Sequence, residues 1–142
     1  MPASLNTSES MNCCLEFHDS RAGPVTSADG TVSLVSTPAY FHKSEGIPGV
    51  DAGTGWTQAA TLEFSSASVA GPHDVGDDRI IDGSMEVDKG QALSCIPVPF
   101  DVSGAVKATF CFSNGVVLFI EATRVRLALS GNPSFIETFS PG

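Results

Sequence analysis

The chain has 142 residues, of which 42% are apolar and only 16% charged, so it can build a packed core and is not an intrinsically disordered segment. Its net charge of −9 is uneven: residues 45–101 carry −8, against −2 for residues 1–44 and +1 for residues 102–142. Such a surface repels a phosphate backbone, which argues against nucleic-acid binding, and it attracts a basic protein partner, an effect that acts mainly on association rate.

At the N-terminus, MPASLNTSESMNCC has neither a basic region nor an apolar run of the secretory kind, and residues 1–10 read as a flexible tail ahead of a single β domain over residues 11–142. The longest apolar run, Val116 to Ile120, falls far short of the ~20 residues of a membrane helix. A soluble, cytoplasmic protein with no membrane partner is expected.

Strands are predicted near residues 12–17, 31–41, 57–68, 79–88, 93–102, 105–113 and 116–129, separated by Gly, Pro, Asn and Asp clusters. The first lies in NCCLEFHDSRAGP, where Cys13, Leu15 and Phe17 would share one face and Cys14, Glu16 and His18 the other. Asp19 and Ser20 follow the strand and suit a turn, so the cluster reads as architecture rather than as a catalytic triad. Next, AYFHKSEGIPGVDAGTGWTQ joins two strands through a long Gly-rich connection. Pairing would bring Tyr40 and His42 near Gln58 and Trp56, a platform for a ligand or a protein hot spot.

Farther on, PHDVGDD supplies His73, Asp74, Asp77 and Asp78, read as a solvated acidic loop because it lacks the spacing of a calcium loop. The prolines of CIPVPF mark an edge strand or a crossing between sheets. In ATFCFSNGVVLFIEA, Asn114-Gly115 suits a two-residue hairpin turn. The predicted register sets Phe112 opposite Val117, Phe110 opposite Phe119 and Cys111 opposite Leu118, with both faces covered. Arg124 and Arg126 would face water beyond it. In SGNPSFIETF, Asn132 and Pro133 suit the start of a helical turn, from which Phe135, Ile136 and Phe139 would plug one end of the core.

No CxxC spacing accompanies the four cysteines, so reduced thiols are expected, with no structural metal and no cofactor. Nucleophile-elbow, phosphate-loop and dinucleotide-binding signatures are absent as well. The segments LEFHDS, AYFHKSEG to GWTQ, IPVPFDVSG and LSGNPSFIETF together resemble those of small uncharacterised bacterial β-proteins across most of residues 14–139. That resemblance implies a bacterial cytoplasmic setting and no particular chemistry.

The expected fold is all-β: a predominantly antiparallel two-layer sandwich or flattened barrel of about seven to nine strands with a short C-terminal helical turn. The expected function is non-catalytic protein interaction, for example an immunity-like inhibitor whose acidic residues, including Asp74, Asp77 and Asp78, cover a basic partner. The alternative is a small-molecule or carbohydrate-binding domain using Tyr40, His42, Trp56 and Gln58. A hydrolase built on His18, His42 or His73 comes third.

Overall fold

Alternation of buried and exposed side chains along Thr31–Ser36 and Gln58–Ser65 is the signature of strands with one face in a core, and nearly every described segment obeys it. The computed structural model describes residues 12–48, 50–70 and 78–139. They form β1 (Asn12–Glu16), β2 (Arg21–Ala28), β3 (Thr31–Ser44), β4 (Gly53–Ser65), β5 (Ser68–Ala70), β6 (Asp78–Val87), β7 (Cys95–Pro97), β8 (Asp101–Phe112) and β9 (Val117–Phe139). All pairings are antiparallel. Strands β2, β6, β8, β9, β4 and β3 follow one another in hydrogen-bonded order, and β3 returns to β2, so six strands close into a barrel.

The long strands β3, β4 and β9 run past the barrel and continue as a second sheet, completed by β1 and the edge strand β7. Pro38 explains the hand-over. It has no N–H to give to a ladder, the register of β3 with β4 shifts between Ser36 and Ala39, and there β3 exchanges one neighbour for another. Residues up to Ser36 pair with β2, whereas Tyr40–Ser44 pair with β1. Phe17, Phe41, Phe64, Phe110 and Phe112 fill the core, with Phe17 and Phe110 edge-to-face at 5.3 Å between ring centroids.

Two sequence-based expectations are corrected. The β8–β9 connection is a three-residue one: the Phe112 N–H donates to the Val116 carbonyl at 2.9 Å, the Gly115 N–H donates to the Phe112 carbonyl at 2.9 Å, and Gly115 has φ +90°. This is the type I turn closed by a left-handed glycine, not the two-residue turn. The register slips by one residue, pairing Phe110 with Leu118 and Cys111 with Val117. Leu118 and Ile120 therefore enter the core, and Phe119 is 51% exposed on the outer wall instead of lying against Phe110.

Asp78 sets this turn from outside the hairpin. Its carboxylate accepts hydrogen bonds from the Ser113 hydroxyl and from the Asn114 N–H, while the Asn114 side chain accepts the Val116 N–H at 2.9 Å.

The C-terminal segment is strand, with no helical turn. β4 presents an open backbone edge at Gly53–Thr57, and residues 134–139 pair with it, which outweighs the local helical preference of Asn132-Pro133. Those two residues sit where the β4–β9 register shifts, following Gly131 at φ +71°. Phe135 and Ile136 are about half exposed and do not plug the core. Arg124 and Arg126 do reach the surface, where they pair with Asp101 and Glu63.

Candidate functional site

The second sheet places a polar cluster on the face turned away from the core. Cys14 lies opposite His42 and Glu16 opposite Tyr40 across β1 and β3, and Tyr40 and His42 lie opposite Thr57 and Gly55 of β4. Side chains of paired residues share a face. His42 Nε2 is 2.8 Å from Glu16 Oε2, and His18 Nδ1 is 3.4 Å from the other oxygen of the same carboxylate. The hydrogen bond from His42 holds the Glu16 carboxyl below the usual carboxylate range, against the opposing effect of burial.

Tyr40 crosses the bare backbone of Gly55, and its hydroxyl donates to Glu137 Oε2 at 2.5 Å. Burial, then that carboxylate, push the phenol well above its ordinary range. The Tyr40 and His42 rings meet edge-to-face at 5.0 Å.

Trp56 and Gln58 do not join Tyr40 and His42. Trp56 pairs with Phe41 and Gln58 with Ala39, one residue away from the expected register, so both belong to the opposite face. There Trp56 stacks edge-to-face on Phe135 at 5.5 Å, donates its indole N–H to Thr54 Oγ1, and carries the Lys43 ammonium 4.9 Å from its ring centroid. Gln58 is buried and donates to the Gly131 carbonyl at 2.9 Å, a structural bond at the strand irregularity.

The opening cysteine–histidine stretch keeps the faces expected of it, with Cys13, Leu15 and Phe17 in the core. Ser20 is fully buried, takes the Tyr40 N–H at 2.9 Å and donates to the Glu16 carbonyl at 2.8 Å, which makes it a bracket between β1 and β3. Cys14, His42 and Glu16 have the composition of a thiol-hydrolase triad but the wrong electrostatics. Burial comes first, followed by the neighbouring Cys95, Glu16 and Cys13, and each of these raises the Cys14 pKa. A catalytic thiol needs the reverse.

His73, Asp74 and Asp77 lie outside the described residues. Asp78 is committed to the hairpin turn. Both described ends of that segment, Ala70 and Asp78, sit on one wall of the barrel. Across β6, β8 and β9 the outward rows are Asp82–Cys111–Val117, Ser84–Thr109–Phe119 and Glu86–Lys107–Glu121, with Ala70 of β5 beside Phe119. Ile81, the extra residue of the β6 irregularity, is 49% exposed next to them. On this wall Lys107 lies between Glu86 and Glu121, and Asp82 stands two rows away.

No protein-family model, curated protein or solved structure matches this chain, so residue roles rest on its own geometry. No helix among the described residues is long and apolar enough to cross a membrane, and no group of three or more His, Cys, Asp and Glu side chains among them is arranged to hold a metal ion.

Proposed function

We propose that this protein is a non-catalytic interaction module that binds a basic protein partner through the β6–β8–β9 wall. The observation that carries the proposal is Phe119, half exposed on an ordered strand wall beside Val117, Glu121 and Ala70, with Ile81, Asp82 and Glu86 two strands away on the same wall. An aromatic anchor inside a polar rim is the composition of a binding hot spot, and the acidic rim complements a basic partner. An immunity-like inhibitor is one concrete form of such a module.

The test is affinity capture from the source cells on the immobilised full chain, run beside Phe119→Ser and an Asp82→Asn/Glu121→Gln double variant at low and high salt. A basic protein should be retained by the wild type, released as salt rises, lost with Phe119→Ser and slowed in association by the double variant. Retention that ignores both variants would refute the proposal.

A second reading, small-molecule or carbohydrate binding, is favoured by the Trp56–Phe135 aromatic pair rather than by a Tyr40–Trp56 platform. Lys43 lies over the indole and Phe135 meets it edge-to-face, so a ligand would engage the exposed Phe135 side of the pair. Quenching of the single tryptophan's fluorescence by a sugar or aromatic ligand, abolished in Phe135→Ala, is the result that reading requires.

A further inference from the structure

At the free edge of the second sheet, β1 and β7 set two cysteines on one face. Cys14 pairs with Pro97 and Glu16 with Cys95, so Cys14 and Cys95 are diagonal neighbours on the same face of an antiparallel pair. The Cys14 thiol donates to the Pro48 carbonyl at 3.9 Å, and Cys95 is the neighbouring group that acts on it most strongly. Both line a groove of about 400 Å³ that also includes Asn12, Cys13, Ile47, Pro48, Pro97 and Val98. Cys14 is buried, whereas Cys95 is half-buried and open to the groove. Cys13, although adjacent in sequence, points into the core, and Cys111 belongs to the barrel wall.

We propose that Cys14 and Cys95 are an oxidation site that closes to a reversible cross-strand disulfide when a small peroxide enters the groove. The Cys95 sulfur attacks one peroxide oxygen, the O–O bond breaks, and Cys95 becomes a sulfenic acid as one water leaves. The Cys14 sulfur then displaces the hydroxyl group, which leaves as a second water, and the S–S bond forms. The two thiols lose two electrons and two protons, and hydrogen peroxide is reduced to two waters. A dithiol reductant reverses the step by exchange.

The assignment of roles follows from burial. Cys95 meets the oxidant first because it is the more accessible sulfur, and Cys14 resolves because it lies behind Cys95 on the same face of the β1–β7 pair. β7 has three residues and pairs only with β1 among the described strands, and a bridge from it to Cys14 requires the two Cα atoms to come within about 7 Å. Cys13 borders the same groove but belongs to the opposite face of β1, and Cys111 belongs to the barrel wall.

The experiment treats the full chain with equimolar hydrogen peroxide, quenches it, and counts denatured thiols before non-reducing peptide mapping. The wild type should fall from four thiols to two, yield a peptide linking Cys14 to Cys95, and recover all four with dithiothreitol. Cys13→Ser should still form the link, while Cys95→Ser should keep its remaining thiols. The wild-type map alone decides the matter if a variant folds poorly. A link to Cys13 or Cys111, a disulfide between two chains, sulfinic acid at Cys95 with Cys14 untouched, or no reaction would each overturn the proposal.

Discussion

A methyl group at Gly55 separates the Tyr40–Glu137 contact from the rest of the fold. An added Cβ would overlap the Tyr40 hydroxyl and lie 2.8 Å from its Cζ and 3.2 Å from Glu137 Cγ, so Tyr40 must swing away. The hydrogen bond to an ionised carboxylate contributes about 1.5–3 kcal/mol. In a strand that could accept the methyl, Gly→Ala would instead stabilise by about 0.5–1 kcal/mol. Gly55→Ala should therefore destabilise by a net of about 1–2 kcal/mol, opposite in sign to the propensity effect alone. In a Tyr40→Ala background the obstacle is gone, and the same substitution should become neutral or stabilising.

Titration gives an independent check because Tyr40 is the only tyrosine. Its folded pKa is raised, first by burial and then by Glu137, so the native state keeps a proton that the unfolded chain loses near the ordinary tyrosine value of about 10. The corresponding stability is complete below that pH and is lost as pH rises through the folded value. Tyrosinate absorbance should thus appear in the wild type only at strongly alkaline pH, and in Gly55→Ala closer to the ordinary range. Unchanged urea midpoint and unchanged tyrosinate titration in Gly55→Ala would refute the placement of Tyr40 across β4.

Phe110→Ala should cost about 3–5 kcal/mol in urea unfolding and Phe119→Ala within about 0.5, because only the first ring is in the core; equal costs would restore the two-residue hairpin. Gly115→Ala should cost about 1–2 kcal/mol from backbone strain alone, since nothing lies within 4 Å of the added Cβ, and Gly115→Asn should cost less. Asp78→Ala should lower the melting temperature at neutral pH. The Asp78 pKa is depressed, chiefly by the Ser113 hydroxyl, so the wild type should lose this advantage as pH falls through the acid range, and a constant difference between the two proteins would contradict the turn anchor. His42→Gln should raise the Glu16 pKa seen by carboxyl NMR titration, because the hydrogen bond from His42 is the largest effect lowering it.

Strand identity, the all-antiparallel class and the faces of Cys13 to Phe17 were legible because they follow from a period of two and from local turn residues. The connection between β3 and β4 was legible in place but not in length, because Lys43 and Ser44 extend β3 and Gly53 and Thr54 extend β4. The C-terminal strand was not legible. Ser130 to Phe139 contains Gly, Asn and Pro, all poor strand formers, and its partner is an edge of β4 nearly eighty positions away in the chain. Glu16 was visible but read only as a strand residue, since neither Tyr40 nor His42 is near it in sequence, and the Glu137 contact depends on the same unforeseen strand.

Both registers that sequence reasoning missed were missed by one residue, and a one-residue slip is the largest error a strand can make because it exchanges the two faces. In VVLFI every position is apolar, so hydrophobicity alone accepts Phe119 inward or outward. The choice is made by Asp78, which binds the turn from β6 and leaves three residues in the connection. Near Trp56 the choice is made by Pro38 and the strand irregularity beside it, which set Phe41 rather than His42 opposite the indole. The first slip removes an aromatic ring from the core and sets it in water on a wall edged with carboxylates. Phe119 is half exposed on an ordered strand while the neighbouring Leu118 and Ile120 are buried, and in the proposed interaction that ring is the anchor. The second slip separates Trp56 from Tyr40 and so moves any aromatic ligand platform to the Phe135 face. The two functional proposals thus stand on different walls of the molecule, and Phe119→Ser and Phe135→Ala address them one at a time.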